Sequence, residues 1–165
     1  SEDGVIMTRS MNRAICQPAF LYQSSSPTYG QQYLDAVGPD NAEGVLFSSS
    51  YSPLSDTPDN AEFVKRFNEK FGQNPPEDAA DGFAAGQVLS AAVNAVGSID
   101  DQSALADWLR GNSVDTLLGT LSWNSDGSPK GDFLVGQWQD GVSQVVLPDD
   151  VATSDVIVRW RGGAL

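Results

Sequence analysis

Short apolar segments alternate with segments of helical periodicity over the first fifty residues. Three apolar runs have the length of a buried strand and are bounded by glycine, proline or serine: residues 4–7, 19–22 and 44–47. Between the first two runs, apolar residues recur every four positions and predict a short helix over residues 8–16: Met7, Met11 and Ile15. A second helix is predicted over residues 27–37, which begin with a proline after Ser26. This strand–helix–strand order predicts an α/β protein with parallel strands.

The sequence of the middle of the chain predicts helices. Residues 48–60 are rich in serine, proline and aspartate and predict a connector or hinge. Phenylalanine then recurs every four positions, which predicts a helix with a buried aromatic stripe: Phe63, Phe67 and Phe71. Asp59 and Glu62 have the spacing of a capping box at the start of that helix. The alanine-rich residues 78–96 predict a second, largely buried helix, and Asp101 is placed to cap a third.

The last third of the chain has the pattern of antiparallel strands. Asp126-Gly127 lies between apolar segments at residues 117–123 and 133–138, and Asp140-Gly141 lies between residues 137–139 and 143–146. Asp-Gly between apolar segments is a strong signal for a tight hairpin. Residues 157–160 predict a final short strand, followed by a glycine tail at residues 162–163.

Composition narrows the classes of function. The chain of 165 residues has a net charge of −13, from 22 acidic and 9 basic side chains. Such a surface repels nucleic-acid phosphates and anionic membranes, so neither is an expected partner. Histidine is absent, which excludes Ser-His and Cys-His nucleophile systems and histidine-ligated zinc. Cys16 is the only cysteine, and we expect a buried free thiol there; the alternative is a disulfide partner outside this chain.

Targeting signals leave the compartment open. No apolar run approaches the roughly 18 residues of a membrane span. Residues 1–3 lack the basic start and apolar core of a signal peptide. The chain is therefore expected to be cytoplasmic, a mature product or an excised fragment.

Candidate chemistry is sparse. Serine runs at residues 24–26 and 48–50 each follow a predicted strand, where α/β proteins bind ligands; the alternative is that these serines are turn residues. Residues 124–127 with Asp132 lack the oxygen ligands of a calcium loop, so no metal is expected. No phosphate-binding glycine loop follows a strand, and no cofactor is predicted. The sequence therefore favours a protein that is not an enzyme, although a carboxylate- or cofactor-dependent α/β enzyme stays as a less favoured alternative.

Several ordered segments resemble a known family. They are residues 38–45 (GPDNAEGV), 63–72 (FVKRFNEKFG), 80–85 (ADGFAA) and 118–141, which include Trp123 and the sequence GQWQDG. In this order, over most of residues 18–148, they resemble the branched-chain amino-acid type of periplasmic substrate-binding protein, the type I class that serves ABC transporters.

The resemblance implies parts of two three-layer α/β lobes with a C-terminal β-hairpin segment. Residues 1–50 would end the second lobe, residues 51–138 would form part of the first lobe, and residues 139–165 would return to the second lobe and tail. The implied partners are a small-molecule ligand such as an amino acid, a membrane permease of the ABC transporter, and a missing N-terminal lobe or second chain. The implied precursor has a signal peptide, and the implied location is periplasmic or extracellular and membrane-associated.

The resemblance also implies a ligand site between the lobes. Gln23, Ser24 and Ser25 occupy a loop that lines the cleft in this family, and Tyr51 lies near a crossing between the lobes. Relatives that bind aliphatic amino acids tend to have an acid in that loop, so this chain has room for amides, aromatic acids or other small organic ligands. The implied function is solute binding by hinge closure for an importer. The alternative within the same fold is a sensory or regulatory ligand-binding domain.

Overall fold

The computed structural model describes residues 2–15, 18–131 and 133–160. The helices are α1 (Glu2–Arg13), α2 (Gln31–Val37), α3 (Pro39–Ala42), α4 (Asn60–Phe71), α5 (Glu77–Val96) and α6 (Gln102–Gly111). The strands are β1 (Tyr22–Gln23), β2 (Leu46–Ser49), β3 (Val114–Thr116), β4 (Gly119–Trp123), β5 (Pro129–Lys130), β6 (Leu134–Gln139) and β7 (Val142–Leu147). Short 3-10 helices cover Ser26–Tyr29 and Asp149–Val151. Over the described ranges, no helix is both long enough and apolar enough to cross a bilayer.

The first sheet joins the two ends of the chain. Its strand order is β1-β2-β6-β7, with β1 parallel to β2 and the other neighbours antiparallel. Its core is aromatic: Trp138 lies 6.3 Å from Tyr33 and 6.4 Å from Phe47, measured between ring centroids. Burial of these large rings stabilises the packing of α2 on the sheet.

The second sheet belongs to the middle of the chain. It has the antiparallel order β3-β4-β5, and α5 and α6 pack beside it. A second, smaller core forms here around the buried residues Tyr51, Ala80 and Leu117. The structure is therefore mixed α/β, as predicted, with two separate cores.

Local signals predicted several elements correctly. Asp140 and Gly141 have φ values of 51° and 75° and join β6 to β7 in the predicted tight turn. Asp101 caps α6, because its carboxylate accepts a hydrogen bond of 3.0 Å from the backbone N–H of Ala104. The parallel pairing predicted for residues 19–22 and 44–47 is confirmed, but the strands are shifted to Tyr22–Gln23 and Leu46–Ser49. Phe20 and Tyr22, in the segment predicted to be buried, are each 51% exposed.

Two predictions near the N-terminus were wrong. Residues 4–7 belong to helix α1 instead of a strand, because Val5, Thr8 and Met11 form one helical face against the first core. A helix does cover much of the predicted range 8–16, as part of α1, although Met7 and Ile15, two of the three apolar residues that predicted it, are exposed. The predicted helix over residues 27–37 is divided at Gly30, whose φ of 61° separates the 3-10 helix from α2.

The prediction of a capping box at the start of α4 was also wrong. Asp59 has a left-handed φ of 62° and caps nothing with its side chain; its carboxylate instead accepts a hydrogen bond of 3.1 Å from Gln87. The aromatic stripe of α4 is only partly buried. Phe63 packs against Tyr51, whereas Phe71 is 55% exposed.

Strand pairing near the C-terminus differs from the prediction. Strand β4 pairs with the short β5, with Trp123 opposite Pro129, while β6 pairs with β2 and β7. Residues 157–160 form no strand. The predicted features at Cys16, Asp132 and residues 162–163 lie outside the described residues.

Residues 153–160, here called the C-terminal strap, are held across the first sheet by glutamine side chains. Gln137 is fully buried; its Nε2 donates to the carbonyl of Ile157 and its Oε1 accepts from the N–H of Ile157, at 3.0 and 2.7 Å. Gln139 donates to the carbonyl of Asp155 at 2.7 Å. The strap ends with Trp160 buried in the first core. The side chain of Gln137 therefore replaces the backbone of a neighbouring strand.

Candidate functional site

The carboxyl ends of β1 and β2 lie side by side because these strands are parallel and in register, with Gln23 opposite Phe47. This arrangement brings the two serine runs to one edge of the first sheet. Ser24 and Ser25 are exposed there, and Tyr22 and Ser48 share a hydrogen bond of 2.6 Å between their hydroxyls. We call this edge the serine edge, comprising residues 22–25 and 48–50.

An open pocket of about 240 Å³ lies at the serine edge. It is lined by Ser24, Ser48, Ser49, Glu77 and Phe133. The pocket thus combines residues of the first sheet with the first residue of α5, which belongs to the middle of the chain. Its hydroxyls and carboxylate offer hydrogen bonds, and Phe133 offers an apolar wall that is 74% exposed.

Glu77 is held by the second serine run. One carboxylate oxygen, Oε1, accepts hydrogen bonds from the hydroxyls of Ser49 and Ser50, at 3.0 and 2.9 Å. The same oxygen accepts a third hydrogen bond from the backbone N–H of Ser50. Its place in the first turn of α5 adds the favourable field of a helix N-terminus. The carboxylate is therefore fixed in position at the pocket wall.

Asp81 lies one helical turn after Glu77. Its carboxylate is 2.9 Å from the hydroxyl of Ser50. Partial burial of the carboxyl raises the pKa of Asp81 above its ordinary value, and the negative charges of Glu77 and Asp78 raise it further, against the hydrogen bond from Ser50. A positive group near Glu77 and Asp81 would relieve this repulsion.

Gln23 is placed differently from the two serines that follow it. Its side chain is 6% exposed, lies beneath α1 and donates a hydrogen bond of 2.5 Å to the hydroxyl of Thr8. Thr8 in turn is 2.9 Å from the hydroxyl of Tyr33. Gln23 therefore anchors the strand that carries Ser24 and Ser25, and its side chain does not line the pocket at the serine edge.

Tyr51 is buried in the second core. Its ring meets that of Phe63 edge-on, at 6.5 Å between centroids, and burial raises the pKa of its hydroxyl. That hydroxyl has no hydrogen-bond partner within the described part of the chain. Tyr51 also lines a small cavity of about 120 Å³ with Phe47 and Trp138, behind the serine edge.

Sequence reasoning missed Glu77 and Phe133. Neither residue directly follows a strand of the first sheet. The tendency of α/β proteins to bind ligands at the carboxyl ends of strands therefore did not point to them. The available signal for Glu77 was its position directly after Pro75-Pro76, at the start of a helix that follows the predicted hinge.

The serine edge provides hydroxyl and carboxylate groups for hydrogen bonds. Among the described residues, no group of three or more Asp, Glu or Cys side chains could hold a metal ion. The hydroxyls of Ser49 and Ser50 lie within hydrogen-bond distance of the carboxylate of Glu77, and that of Ser50 also lies near the carboxylate of Asp81.

Known proteins are similar to this chain in sequence and in fold. An amino acid binding protein of Pseudomonas aeruginosa is 33% identical over 114 residues, which are 68% of this chain and 30% of the relative. Leu/Ile/Val-binding protein homolog 3 of Brucella melitensis is 31% identical over 112 residues, covering 64% of this chain and 29% of the relative. The crystal structure of a leucine binding protein from Thermotoga maritima matches with a TM-score of 0.75 at 20% identity, covering 90% of this chain and 43% of that chain.

These matches define the extent of the similarity. The chain spans about 30% of the length of the curated relatives and less than half of the solved structure. The structural match shows part of the type I periplasmic-binding-protein α/β fold. The family model for periplasmic binding proteins matches residues 18–142. The chain therefore belongs to the periplasmic binding protein family.

Proposed function

We propose that this chain forms part of the extracytoplasmic solute-binding component of an ABC importer. It would bind an amino acid or a similar small organic ligand between two lobes. The observation that carries the proposal is the pocket at the serine edge, where Ser24 and Glu77 come from distant parts of the chain and face one space. The relatives named for amino-acid binding support the ligand class.

The proposed lobes follow the chain. Residues 1–50 and 139–165 would lie in one lobe and residues 51–138 in the other. Residues 134–139 would be an exception, because β6 pairs with β2 and therefore belongs with residues 1–50. The rest of the two-lobed protein would come from an N-terminal lobe or a second chain, as the partial coverage of the relatives suggests. A membrane permease would receive the ligand, at a periplasmic or extracellular, membrane-associated location.

In the proposed mechanism, ligand binding holds the lobes together. Ser24 and Ser25 would hydrogen-bond the ligand from one lobe, and Glu77 would accept the ammonium group of the ligand from the other. A ligand that contacts both sides binds the closed arrangement more tightly and so shifts the population toward it. Gln23 would position the serine loop, and Tyr51 would support the pocket from the second core. No bond is made or broken, so we expect no turnover.

Calorimetric titration of the complete gene product with a panel of amino acids and small carboxylic acids tests this proposal. We expect saturable binding of at least one member of the panel. Ser24→Ala and Glu77→Gln should each weaken that binding about tenfold, the loss of roughly 1.4 kcal/mol expected for a hydrogen bond that involves a charged group.

The matched control is Ser90→Ala, because Ser90 is exposed on α5 beyond the serine edge. It should leave the affinity unchanged. Glu77→Gln and Ser24→Ala variants that bind as tightly as the unmodified protein would refute the assignment of the site. The absence of binding across the panel would count against the function itself.

A further inference from the structure

A small cavity lies between the two cores, behind the serine edge. Its volume is about 120 Å³. Phe47 and Trp138 reach its wall from the first core, and Tyr51 reaches it from the second core. The cavity shares Ser49 and Glu77 with the pocket at the serine edge, but its three aromatic rings do not line that pocket. We call this space the junction cavity.

Two polar groups at the wall of the junction cavity have no hydrogen-bond partner among the residues that the structure describes. They are the hydroxyl of Tyr51 and the indole Nε1–H of Trp138. The two side chains are only 5% and 4% exposed. A buried polar group without a partner is destabilising, and nearly all such groups in folded proteins bond to protein or to ordered water. Two unpartnered groups at one cavity therefore indicate an occupant that bonds to both.

The chemistry of the wall defines the class of occupant. An indole N–H can only donate, so the occupant must accept a hydrogen bond. A negatively charged occupant is disfavoured, because the carboxylate of Glu77 lies at the wall and the chain has a net charge of −13. A cation without lone pairs offers no acceptor to the indole. The volume suits a molecule smaller than benzene, which fills an engineered protein cavity of roughly 150 Å³.

We propose that the junction cavity is a binding site for a small neutral molecule with an oxygen acceptor: water, or a short amide or alcohol. The oxygen would accept hydrogen bonds from Tyr51 and Trp138, and the ring of Phe47 would contact the apolar part of a larger occupant. Because the two donors belong to different cores, the occupant would connect the first core to the second. A movement of one core against the other would separate the donors, so occupancy would favour one arrangement of the cores.

Tyr51→Phe in the complete gene product, without amino-acid ligand, tests the proposal by the sign of its effect. With an occupant in the cavity, the variant loses a hydrogen bond, and its melting temperature should fall by about 2–4 °C. If the hydroxyl is truly unpartnered, the variant removes a buried polar group, and its melting temperature should rise. That result would overturn the proposal.

The matched control is Tyr33→Phe. Tyr33 is also buried, and its hydroxyl lies 2.9 Å from that of Thr8. This variant should lower the melting temperature whether or not the junction cavity is occupied. Because neither measurement needs a ligand at the serine edge, their outcome is separable from a failure to bind amino acids.

The indole N–H of Trp138 distinguishes the possible occupants by nuclear magnetic resonance. Its signal can be assigned from contacts with the rings of Tyr33 and Phe47, whose centroids lie 6.3 and 6.4 Å from that of Trp138. A nuclear Overhauser effect from water, with no response to added acetamide, would identify water as the occupant. A saturable shift with acetamide, with an affinity at least about tenfold weaker in Tyr51→Phe, would identify a small organic occupant.

Either of these results supports the site. The absence of both would overturn the proposal even if Tyr51→Phe lowers the melting temperature, because the acceptor would then belong to another part of the protein.

Discussion

Replacing Gln137 with methionine removes the glutamine clamp on the C-terminal strap while keeping the volume of the side chain nearly constant. The change breaks four hydrogen bonds: to the carbonyls of Gly44 and Ile157, from the N–H of Ile157, and from the side chain of Gln139. A volume-conserving apolar substitution leaves no large cavity, so the loss of these bonds should dominate the result.

The expected loss follows from the burial of the groups left behind. Each hydrogen bond contributes a net stabilisation of about 1 kcal/mol, and a buried group without a partner costs about 1–3 kcal/mol. Gly44 is buried, so its carbonyl would be left without a hydrogen-bond partner in the variant and would carry this penalty. Ile157 is partly exposed, so its backbone groups can bond water. The free energy of unfolding should therefore fall by about 3–6 kcal/mol, a large share of the roughly 5–15 kcal/mol typical of a folded protein.

Urea denaturation measures this change, and hydrogen exchange at Ile157 and Trp160 locates it. The matched control is Gln102→Met: Gln102 also donates to a backbone carbonyl, that of Ile99 at 2.8 Å, but it is exposed. Its variant should lose less than about 0.5 kcal/mol. If the two variants unfold at the same urea concentration, with the strap amides still protected, the clamp does not hold the strap.

Two further predictions concern packing and charge. Gly136→Ala places a methyl group against the ring of Phe47, which is 2% exposed, and should lower the free energy of unfolding by about 1–3 kcal/mol in urea denaturation, whereas Gly111→Ala should not lower it. Asp81→Asn should stabilise the fold at neutral pH and give no advantage below the ordinary carboxyl pKa of 3.8. The raised pKa of Asp81 means that protonation favours the folded state. The stability that the protonated carboxyl contributes is therefore lost as pH rises through the pKa of the folded state. An advantage of Asp81→Asn that is the same at every pH would contradict the charge argument.

Elements with local chemistry were predictable from the sequence. Asp101 and the Asp140-Gly141 turn depend on residues within a few positions, so their structures follow from the sequence around them. Residues 4–7 were not predictable in this way, because four apolar residues fit either a strand or one helical turn. The neighbour that Val5 contacts decided between them.

Pairing between distant segments accounts for the remaining errors of the fold. The segment at residues 133–138 is apolar enough to pair with β4, and its true partners are β2 and β7. The pairing of this segment depends on the position of the first sheet, which the local sequence does not determine. The end of the chain is a second case: the backbone N–H and C=O of Ile157 bond the side chain of Gln137 on β6, and not the backbone of a neighbouring strand.

Only the part of the candidate site that lies at the first sheet was predictable from the sequence. Two serine runs after parallel strands must share an edge, and they do. The alternation over residues 21–23 gave a usable signal for Gln23, because Leu21 and Gln23 are buried while Tyr22 is exposed. Glu77 could not be found this way, since its place at the pocket depends on how the middle of the chain returns to the first sheet.

The order of strands in the first sheet has a consequence for the way the chain folds. Gly44 and Gln137, which bond each other, are 93 residues apart in sequence. During synthesis, β2 therefore stays without its antiparallel partner until β6 has left the ribosome, while the helices and the second sheet between them already have their local partners. Closing so long a loop is slow, and an unpaired strand edge invites association with other chains in the meantime. The newly made chain should accordingly depend on a holding chaperone until residue 139, the last of β6, is available.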